Sequence, residues 1–287
     1  MVPDEAIVNS STPLDNFPVI RSRNIEEICE AIGRFYARPL LPTTPGGSEV
    51  NATINNCRLQ DIALAYACYG APLTLEYPST SLFVQLFPVR GMGAIHRGAT
   101  SGTLRPGLGA LILPGVPYTM NYGAEYAHLV LRLDEPALTR KLAAMSGADI
   151  HKPLRMRAEQ DWRHPAAHML QQYLPLLVET LSKADPPYPD WWVRQTEQLL
   201  LTLFLCGHQH NYSHLLEAEA PAAAPRQVRH AEEYIEANAP RGIGLDELAA
   251  VTGVSEFSLY RSFKHSRGYS PMEFAARQRA KRRSAKC

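Results

Sequence analysis

Short apolar segments alternate with glycine and proline over much of the first half of the chain. From about Arg58 to Leu133 these segments are separated by turn-forming residues at intervals of about 8 to 15 positions. Such spacing is typical of short antiparallel strands in a sandwich or barrel. We predict a small β-roll over about residues 50–133, with strands in the segments IALAYACY, PLTLEY, SLFVQLF, GLGALILP and HLVLRL.

After Asp134 the apolar residues recur every three or four positions, which predicts helices within residues 134–215. The segments are PALTRKLAAM, HPAAHMLQQYLPLLVETL and WWVRQTEQLLLTLFLCGH. The turn sequence ADPPYP joins the last two, so we expect them to pack as an antiparallel pair. Their remaining apolar stripe is compatible with a dimer interface and equally with packing on the roll.

A change of composition marks a boundary near residue 216. The segment EAEAPAAAP is low in complexity and has no apolar periodicity, which indicates a linker over residues 216–225. The predicted fold class is therefore α+β. It comprises an N-terminal domain over residues 1–215, in which helices follow the β-roll, and an all-α domain over residues 226–287.

Composition and charge narrow the class of protein. The 287 residues are 45% hydrophobic and 20% charged, as in ordinary globular proteins, and allow about two domains. The acidic N-terminus lacks an apolar core of signal-peptide length, and the run Leu199–Cys206 is shorter than a membrane span. Five cysteines without CxxC spacing suit reduced thiols. We expect a cytoplasmic protein without membrane contact.

The C-terminal segment predicts a helix, a glycine-containing turn and a second helix. Gly253 ends a short helix that Leu245, Leu248 and Ala249 line, and Ser255 is well placed to cap the next helix. This is the helix-turn-helix layout, whose second helix enters the DNA major groove.

A helical wheel divides this second helix into two faces. Leu259 and Phe263 point to the core with Val254, and the opposite face mixes one phenylalanine with basic and polar groups. Arginine can bind guanine, an aromatic edge can touch a thymine methyl group, and lysine can contact phosphate. The predicted contacts with double-stranded DNA are Phe257, Ser258, Arg261, Lys264 and His265, with Tyr260 at the border.

The charge distribution agrees with contact to phosphate. From Arg226 onward there are 12 lysines and arginines against 7 acidic residues, and from Arg261 onward 9 against 1. A basic end beside a neutral body is the usual electrostatic footprint of nucleic-acid binding. Charge alone is equally compatible with a solvated basic tail.

The segment LDELAAVTGVSEFSLYRSFKHSRGYSPMEF resembles the first helix-turn-helix of AraC/XylS transcription regulators. The resemblance implies base contacts at Phe257, Tyr260 and Arg261, in partial agreement with the wheel. The family pattern of Leu-Ala, Val-Ser, Leu-x-Arg-x-Phe and Gly-x-Ser-Pro falls on Leu248, Ala249, Val254, Ser255, Leu259, Arg261, Phe263, Gly268, Ser270 and Pro271.

The order of roll, helical pair and DNA-binding domain is similar to XylS-like regulators, including a His-Asn-Tyr-Ser stretch at His210–Ser213. The resemblance implies a cupin-like roll that binds a small effector, often an aromatic acid. It also implies a homodimer, promoter binding and an activator that contacts RNA polymerase.

The sequence departs from the family pattern near its end. The family carries two helix-turn-helix motifs joined by a linker helix, and this sequence stops within that helix, where Ala280 and Arg283 replace the usual residue types. We therefore expect an incomplete DNA-binding domain with fraying beyond about Phe274. The alternative function is a truncated protein that binds ligand and dimerises without productive DNA binding.

Three further groups of residues bear on possible metal, catalytic and ligand sites. Cys206, His208, His210 and His214 are crowded but match no zinc template, which favours an exposed polar helix end over a metal site. A cupin-type enzyme is disfavoured because residues 91–133 hold only two histidines and no His-x-His pair, so no cofactor is expected. Side chains that could project into the roll toward an effector, or serve as core or surface, are Arg58, Tyr66, Tyr69, Gln85, His96 and Tyr118.

Overall fold

Ten strands form two antiparallel sheets in the computed structural model, which describes residues 12–40, 42–183, 187–217, 225–238 and 241–284. One sheet has six strands in the order β1-β2-β3-β10-β5-β8, and the other has four in the order β4-β9-β6-β7. The strands are β1 (Pro18–Ser22), β2 (Ala52–Arg58), β3 (Ile62–Cys68), β4 (Leu73–Tyr77), β5 (Phe83–Arg90), β6 (Gly93–Arg97), β7 (Thr100–Leu104), β8 (Ala110–Ile112), β9 (Tyr118–Tyr122) and β10 (Ala127–Leu133).

The two faces of the six-stranded sheet have different neighbours. Side chains alternate between faces along a strand, so Val84 and Leu86 of β5 join the core between the sheets. Gln85, between them, faces the other way and meets His208. The residues of this sheet therefore sort into an inner face toward the second sheet and an outer face toward the helices.

The described helices begin with α1 (Ile25–Gly33), which Asn24 caps by accepting hydrogen bonds from two backbone N–H groups. Next are α2 (Glu135–Ser146), α3 (Pro165–Lys183), α4 (Asp190–Gly207) and α5 (Ser213–Glu217). Helices α3 and α4 pack against each other. Among the described residues, no helix combines the length and apolar character needed to cross a bilayer.

Helix α4 is fixed to the outer face of the six-stranded sheet. The rings of Phe204 and Phe83 meet edge to face with centroids 6.4 Å apart. The buried carboxylate of Glu197 accepts hydrogen bonds from the backbone N–H groups of Gln60, Asp61 and Ile62, at 2.7, 2.8 and 3.1 Å. Gln60 and Asp61 lie in the turn between β2 and β3, and Ile62 is the first residue of β3.

The C-terminal helices are α6 (Pro225–Asn238), α7 (Leu245–Thr252), α8 (Glu256–Arg267) and α9 (Pro271–Ser284). Their core includes Val228, Ile235, Leu248, Leu259 and Phe263, none of which is exposed. By its internal contacts the chain divides into two compact units. The first runs up to Leu142 and includes Lys152–Asn211, and the second combines Ala143–His151 with the described residues from Tyr212 onward.

The glycine and serine predicted at the turn between α7 and α8 have the predicted roles. Gly253 adopts the left-handed conformation that ends α7, and the Ser255 hydroxyl accepts a hydrogen bond from Ser258 N at 3.3 Å. Ser270 and Glu273 cap α9 reciprocally, with each side chain accepting from the other's backbone N–H. Helix α9 continues to Ser284, whereas the sequence predicted fraying beyond about Phe274. Its first turns pack on the domain, since Ala275 is buried and the Arg277 guanidinium lies over the Tyr269 ring.

Several element boundaries differ from the predictions. The five predicted strand segments coincide with β3, β4, β5, β8 and β10. Strands β2, β6, β7 and β9 lie within the predicted roll but were not among those segments, and β1, which pairs with β2, lies well before residue 50. The linker predicted at residues 216–225 is shorter, since α5 includes Glu217 and α6 begins at Pro225, where proline is favoured in a first helical turn. Residues 218–224 lie outside the described residues.

Candidate functional site

A cavity between the two sheets is produced by small residues facing large ones. Ala63, Ala65 and Ala67 stand at alternate positions of β3 and line the cavity on the inner face of the six-stranded sheet. Large aromatic side chains line it from the four-stranded sheet, from the segment after α1 and from the residue that follows β3. We call this space the tyrosine cavity, after Tyr36, Tyr69, Tyr77, Tyr118 and Tyr122.

The tyrosine rings hold one another in place. Tyr77 stacks on Tyr118 with centroids 4.8 Å apart and an angle of 13° between ring planes. Tyr36 meets Tyr77 edge to face at 5.5 Å, and its hydroxyl is hydrogen bonded to the Tyr118 hydroxyl. Tyr69 and Tyr122 lie 4.6 Å apart. Burial raises the pKa of Tyr36 and of Tyr69 above the usual tyrosine value, so these hydroxyls stay protonated at neutral pH.

His128 lines the cavity from β10 as a neutral imidazole. Burial lowers its pKa to about 4. Its Nδ1 atom is buried and has no hydrogen-bond partner among the described residues, and the same holds for the hydroxyl of Tyr126, whose ring lies 5.2 Å from the imidazole. Unpaired buried polar groups are uncommon in proteins, and a bound water or ligand is one explanation for them.

Two arginines flank one end of the cavity wall. In strand register, Arg58 of β2 and Arg132 of β10 are the partners of Ala63 on either side. Arg58 is exposed, and Arg132 is half-buried and lines the cavity. Burial, with a smaller contribution from the neighbouring Arg58, lowers the pKa of Arg132. This pair, the arginine rim, places positive charge beside an otherwise uncharged cavity.

The free volume of the tyrosine cavity is about 60 Å³. An apolar cavity of about 150 Å³ can hold benzene. A ligand with one aromatic ring therefore needs the cavity wall to move, and the mutually stacked tyrosines are the side chains that would have to shift.

The structure separates the six side chains that the sequence suggested for effector contact. Tyr69 and Tyr118 line the tyrosine cavity, and Arg58 lies at its rim. The other three do not line it. Tyr66 and Gln85 belong to the outer face of the six-stranded sheet, and His96 contacts the Asn121 amide at 3.1 Å.

The cavity residues that sequence reasoning missed had a weak signal in the sequence. His128, Val130 and Arg132 alternate along β10, as do the three alanines along β3. Period-two alternation shows that such residues share a face but does not show which face is inward, because both faces of these strands are covered. Tyr36 lies outside the strands and gave no periodic signal.

His208 and His210, near the end of α4, are buried, which corrects the prediction of an exposed polar helix end for these two residues. His214 is exposed and Cys206 is half-buried. His208 Nδ1 lies 2.8 Å from the Phe204 carbonyl oxygen, and its Nε2 atom lies 2.9 Å from Gln85 Oε1. His210 Nε2 lies 3.2 Å from the Leu205 carbonyl oxygen. These contacts tie the histidines to the helix end and the sheet. No group of three or more metal-binding side chains converges within the described part of the chain.

The outward face of α8 combines exposed aromatic side chains with basic ones. Phe257 is 68% exposed and Tyr260 is 44% exposed, although Leu259 between them is fully buried. The Arg261 guanidinium lies 5.7 Å from the centre of the Phe257 ring. Two large exposed aromatic side chains on one short helix are unusual for a plain protein surface.

The remaining predicted contacts of α8 have different surroundings. His265 is exposed, and Lys264 is 3.3 Å from Glu273 of α9. An exposed ion pair of this kind contributes little to stability, so Lys264 can exchange partners at small cost. Ser258 is half-buried beside the capping residue, and its hydroxyl lies 3.1 Å from that of Ser255.

Comparisons with known proteins add a relative and several distant structures. The probable thc operon regulatory protein of Rhodococcus erythropolis is 30% identical over 149 residues, which is 50% of this chain and 43% of that protein. The chain thus aligns with less than half of that relative. Among solved structures, the AraC-like transcriptional activator CuxR has a TM-score of 0.42 at 16% identity and covers 84% of this chain and 85% of its own. The cupin domain of Schizosaccharomyces pombe Cnp3 has a TM-score of 0.27 at 12% identity, covering 33% and 74%.

Residues 30–206 match the AraC-binding-like domain family. That range includes the end of α1, the strands from β2 to β10 and most of α4, and therefore all of the tyrosine cavity. The match covers more than half of the chain, which consequently belongs to the AraC-binding-like domain family.

Proposed function

We propose that the chain is a transcription regulator that binds promoter DNA through α8 and a small effector through the tyrosine cavity. The observation that carries the DNA-binding part is the outward face of α8, where Phe257, Tyr260 and Arg261 are presented together. The family match supports the sensing part, and the regulatory name of the Rhodococcus relative supports the overall role.

The chemistry of α8 suits the major groove. Arg261 would bind a guanine through its guanidinium, and Phe257 would contact a thymine methyl group. Lys264 and His265 would contact phosphate, and Ser258 either kind of group. The basic balance of 9 to 1 from Arg261 onward adds attraction that is independent of DNA sequence.

The test begins with selection of preferred DNA from a random library by the full chain. Arg261→Ala should then weaken binding to the selected site by about 1 to 3 kcal/mol, which is roughly 5- to 150-fold. The matched control is Arg163→Ala, an exposed arginine far from α8 in sequence, which should bind as the wild type does. If the selection enriches no DNA sequence, the DNA-binding proposal is wrong. If Arg261→Ala binds the selected site as tightly as the wild type does, only the proposed role of Arg261 is wrong.

The effector that best fits the cavity is a small aromatic acid. Stacked tyrosines and alanine methyl groups suit an aromatic ring, and the arginine rim suits a carboxylate. Benzoate-like and anthranilate-like compounds at millimolar concentration should therefore raise the melting temperature of the full chain. Arg132→Gln should abolish the shift. A panel without any shift would leave the effector unassigned and the DNA-binding proposal untouched.

The exposed apolar side chains of the helical pair favour a homodimer. Met169 and Leu176 of α3 are 54% and 60% exposed, and Trp191 of α4 is 64% exposed. Dimers commonly bury such side chains. Activation rather than repression, and contact with RNA polymerase, rest on the resemblance to AraC/XylS regulators.

A further inference from the structure

Glu273 is the single acidic residue in the sequence from Arg261 onward, where 9 residues are basic. It stands in the first turn of α9 and contacts α8, whose outward face is the proposed DNA contact. A carboxylate at the edge of a surface that binds phosphate opposes binding, because like charges repel. Its presence there needs a physical reason, either in the fold or in the binding of DNA.

The fold requires a hydrogen-bond acceptor at this position but not a charge. Glu273 Oε2 accepts a hydrogen bond from the backbone N–H of Ser270 at 2.5 Å, and the Ser270 hydroxyl accepts one from the backbone N–H of Glu273 at 3.2 Å. Glutamine satisfies this reciprocal helix cap as glutamate does. The negative charge of Glu273 is therefore available for another interaction.

That interaction is with Lys264 of α8. The Lys264 ammonium group donates to the same Oε2 atom at 3.3 Å, and both side chains are partly exposed. Arg277, one turn further along α9, is directed elsewhere, since its guanidinium lies 4.7 Å from the centre of the Tyr269 ring. The Ser270 N–H and the Lys264 ammonium lower the pKa of Glu273, so this carboxylate is charged at neutral pH.

Lys264 belongs to the same stripe of α8 as the proposed base contacts. Phe257, Arg261 and Lys264 follow one another at intervals of four and three positions, which places them on one side of the helix. A lysine on such a stripe is suited to contact phosphate at the edge of the groove. In the free protein its ammonium group is held by Glu273. Binding of DNA would thus require Lys264 to exchange a carboxylate for a phosphate.

We propose that Glu273 weakens the binding of DNA by α8, because it competes with phosphate for Lys264. It acts on the affinity for every DNA sequence alike, since phosphate contacts carry no sequence information. A residue of this kind lowers the occupancy of random DNA by a strongly basic domain. This inference rests on the proposed contact of α8 with DNA.

The test compares the wild type and Glu273→Gln of the full chain by fluorescence anisotropy with a short DNA duplex of random sequence. At about 50 mM salt, Glu273→Gln should bind about two- to fivefold more tightly, because an exposed ion pair no longer has to be exchanged. The gain should shrink at about 200 mM salt, since a freed lysine makes the logarithmic salt dependence steeper by up to about one. The melting temperature should stay that of the wild type, because glutamine keeps the cap.

Glu233→Gln is the matched control. It removes the same charge from an exposed position of α6, opposite the buried side chains of Ala231 and Ile235, within the same compact unit. It should bind DNA as the wild type does. Lys264→Gln should bind more weakly than the wild type, and adding Glu273→Gln to it should change the affinity by less than about 1.5-fold, because the two residues act as a pair.

Three results would overturn the proposal while leaving DNA binding by α8 intact. The first is equal affinity of the wild type and Glu273→Gln at low salt. The second is the same gain in Glu233→Gln, which would show an effect of net charge alone. The third is an undiminished gain in the Lys264→Gln background, which would show that Glu273 repels DNA without acting through Lys264. If no variant and no wild-type protein binds duplex DNA even at low salt, the proposed DNA contact is itself wrong, and this inference with it.

Discussion

At the scale of single residues, the buried carboxylate of Glu197 links a helix to the six-stranded sheet. It stands on α4 and accepts three hydrogen bonds from backbone donors in the turn before β3 and at the start of that strand. Those donors belong to Gln60, Asp61 and Ile62, and Arg58 of the arginine rim lies two residues before the first of them. One side chain therefore sets the position of a turn next to the cavity.

Glu197→Ala should destabilise the protein, because the turn donors lose a charged acceptor inside the fold. Hydrogen bonds to charged groups contribute about 1.5 to 3 kcal/mol each, and relaxation of the turn will recover part of the loss. We expect a fall of at least about 2 kcal/mol in the free energy of unfolding, measured with urea. Glu179→Ala removes an exposed carboxylate from α3 and should change stability by less than about 0.5 kcal/mol. Equal stability of both variants would contradict this role of Glu197.

Buried histidines should make the protein sensitive to weak acid. Burial lowers the pKa of His128 and of His208 to about 4, below the value of about 6.5 for an unfolded histidine. Between pH 6.5 and pH 4 the unfolded chain binds protons that the folded protein does not, so stability falls as pH falls. The loss is about 1.4 kcal/mol per pH unit for each histidine.

Urea unfolding of the full chain at pH 7.5, 6.0 and 5.0 measures this dependence. His128→Leu should lose less stability than the wild type between pH 6.0 and 5.0, because one of the two buried imidazoles is gone. His168→Leu, at an exposed position, should follow the wild type. An unchanged slope in His128→Leu would show that His128 is not buried as a neutral group.

At the scale of elements, the most apolar strands were predicted from the sequence, but the direction in which their side chains face was not. The apolar segments of β3, β5 and β10 marked them as strands, but all three are covered on both faces, and their alternation does not distinguish cavity from helix contact. Gln85 was therefore expected to face an effector and instead meets His208. Strands β1, β2, β6, β7 and β9 were not among the predicted segments. The pairing of β1 with β2 depends on tertiary contacts and leaves little local pattern in the sequence.

The directions of the side chains of α8 were predicted more completely than those of the strands. One of its faces is buried and one is exposed, so the period of 3.6 residues assigns each side chain to a face. Leu259 and Phe263 are fully buried and Phe257 is exposed, as the wheel predicted. Contact with DNA stays a prediction, because exposure alone does not identify a partner.

The three alanines of β3 lead to a prediction about the free space in the tyrosine cavity. Ala65→Leu adds a side chain where the cavity has about 60 Å³ of free space, so it should fill that space with little loss of stability. We expect the melting temperature without ligand to change by only a few degrees. The shift induced by an aromatic acid should disappear. The control is Ala166→Leu on α3, at a half-buried position outside the cavity.

Retention of the full ligand-induced shift in Ala65→Leu would place the effector elsewhere. A large loss of stability would mean that the tyrosines cannot rearrange, and this would also count against an effector that has to move them. The outcome therefore tests whether the closed cavity can open.

At the scale of the whole molecule, the two compact units have different proposed partners. The first contains the tyrosine cavity and the helical pair, and the second contains α8. Effector binding can change DNA binding only if the two states of the protein differ in affinity for both ligands. A dimer provides one route, because it makes the spacing of two α8 helices a property of the assembly.

The dimer prediction concerns the exposed side of α3 and α4. Met169 and Leu176 are seven positions apart and share one face of α3, and Leu199 of α4 is 39% exposed. Leu176→Glu should introduce repelling charges on both copies at a two-fold interface, because such an interface brings the same patch together twice. Light scattering after size exclusion should give twice 31.9 kDa for the wild type and 31.9 kDa for this variant.

Leu40→Glu is the matched control, since Leu40 is a 51% exposed leucine far from the helical pair in sequence. It should remain a dimer. Leu176→Glu should also bind DNA more weakly than the wild type, because a monomer presents a single α8 to each site. A wild-type monomer at micromolar concentration would refute the interface, and a dimeric Leu176→Glu would move it to another face. If Leu176→Glu is still dimeric and yet binds DNA more weakly, the defect lies in folding and not in assembly. A lower melting temperature of this variant would verify that explanation.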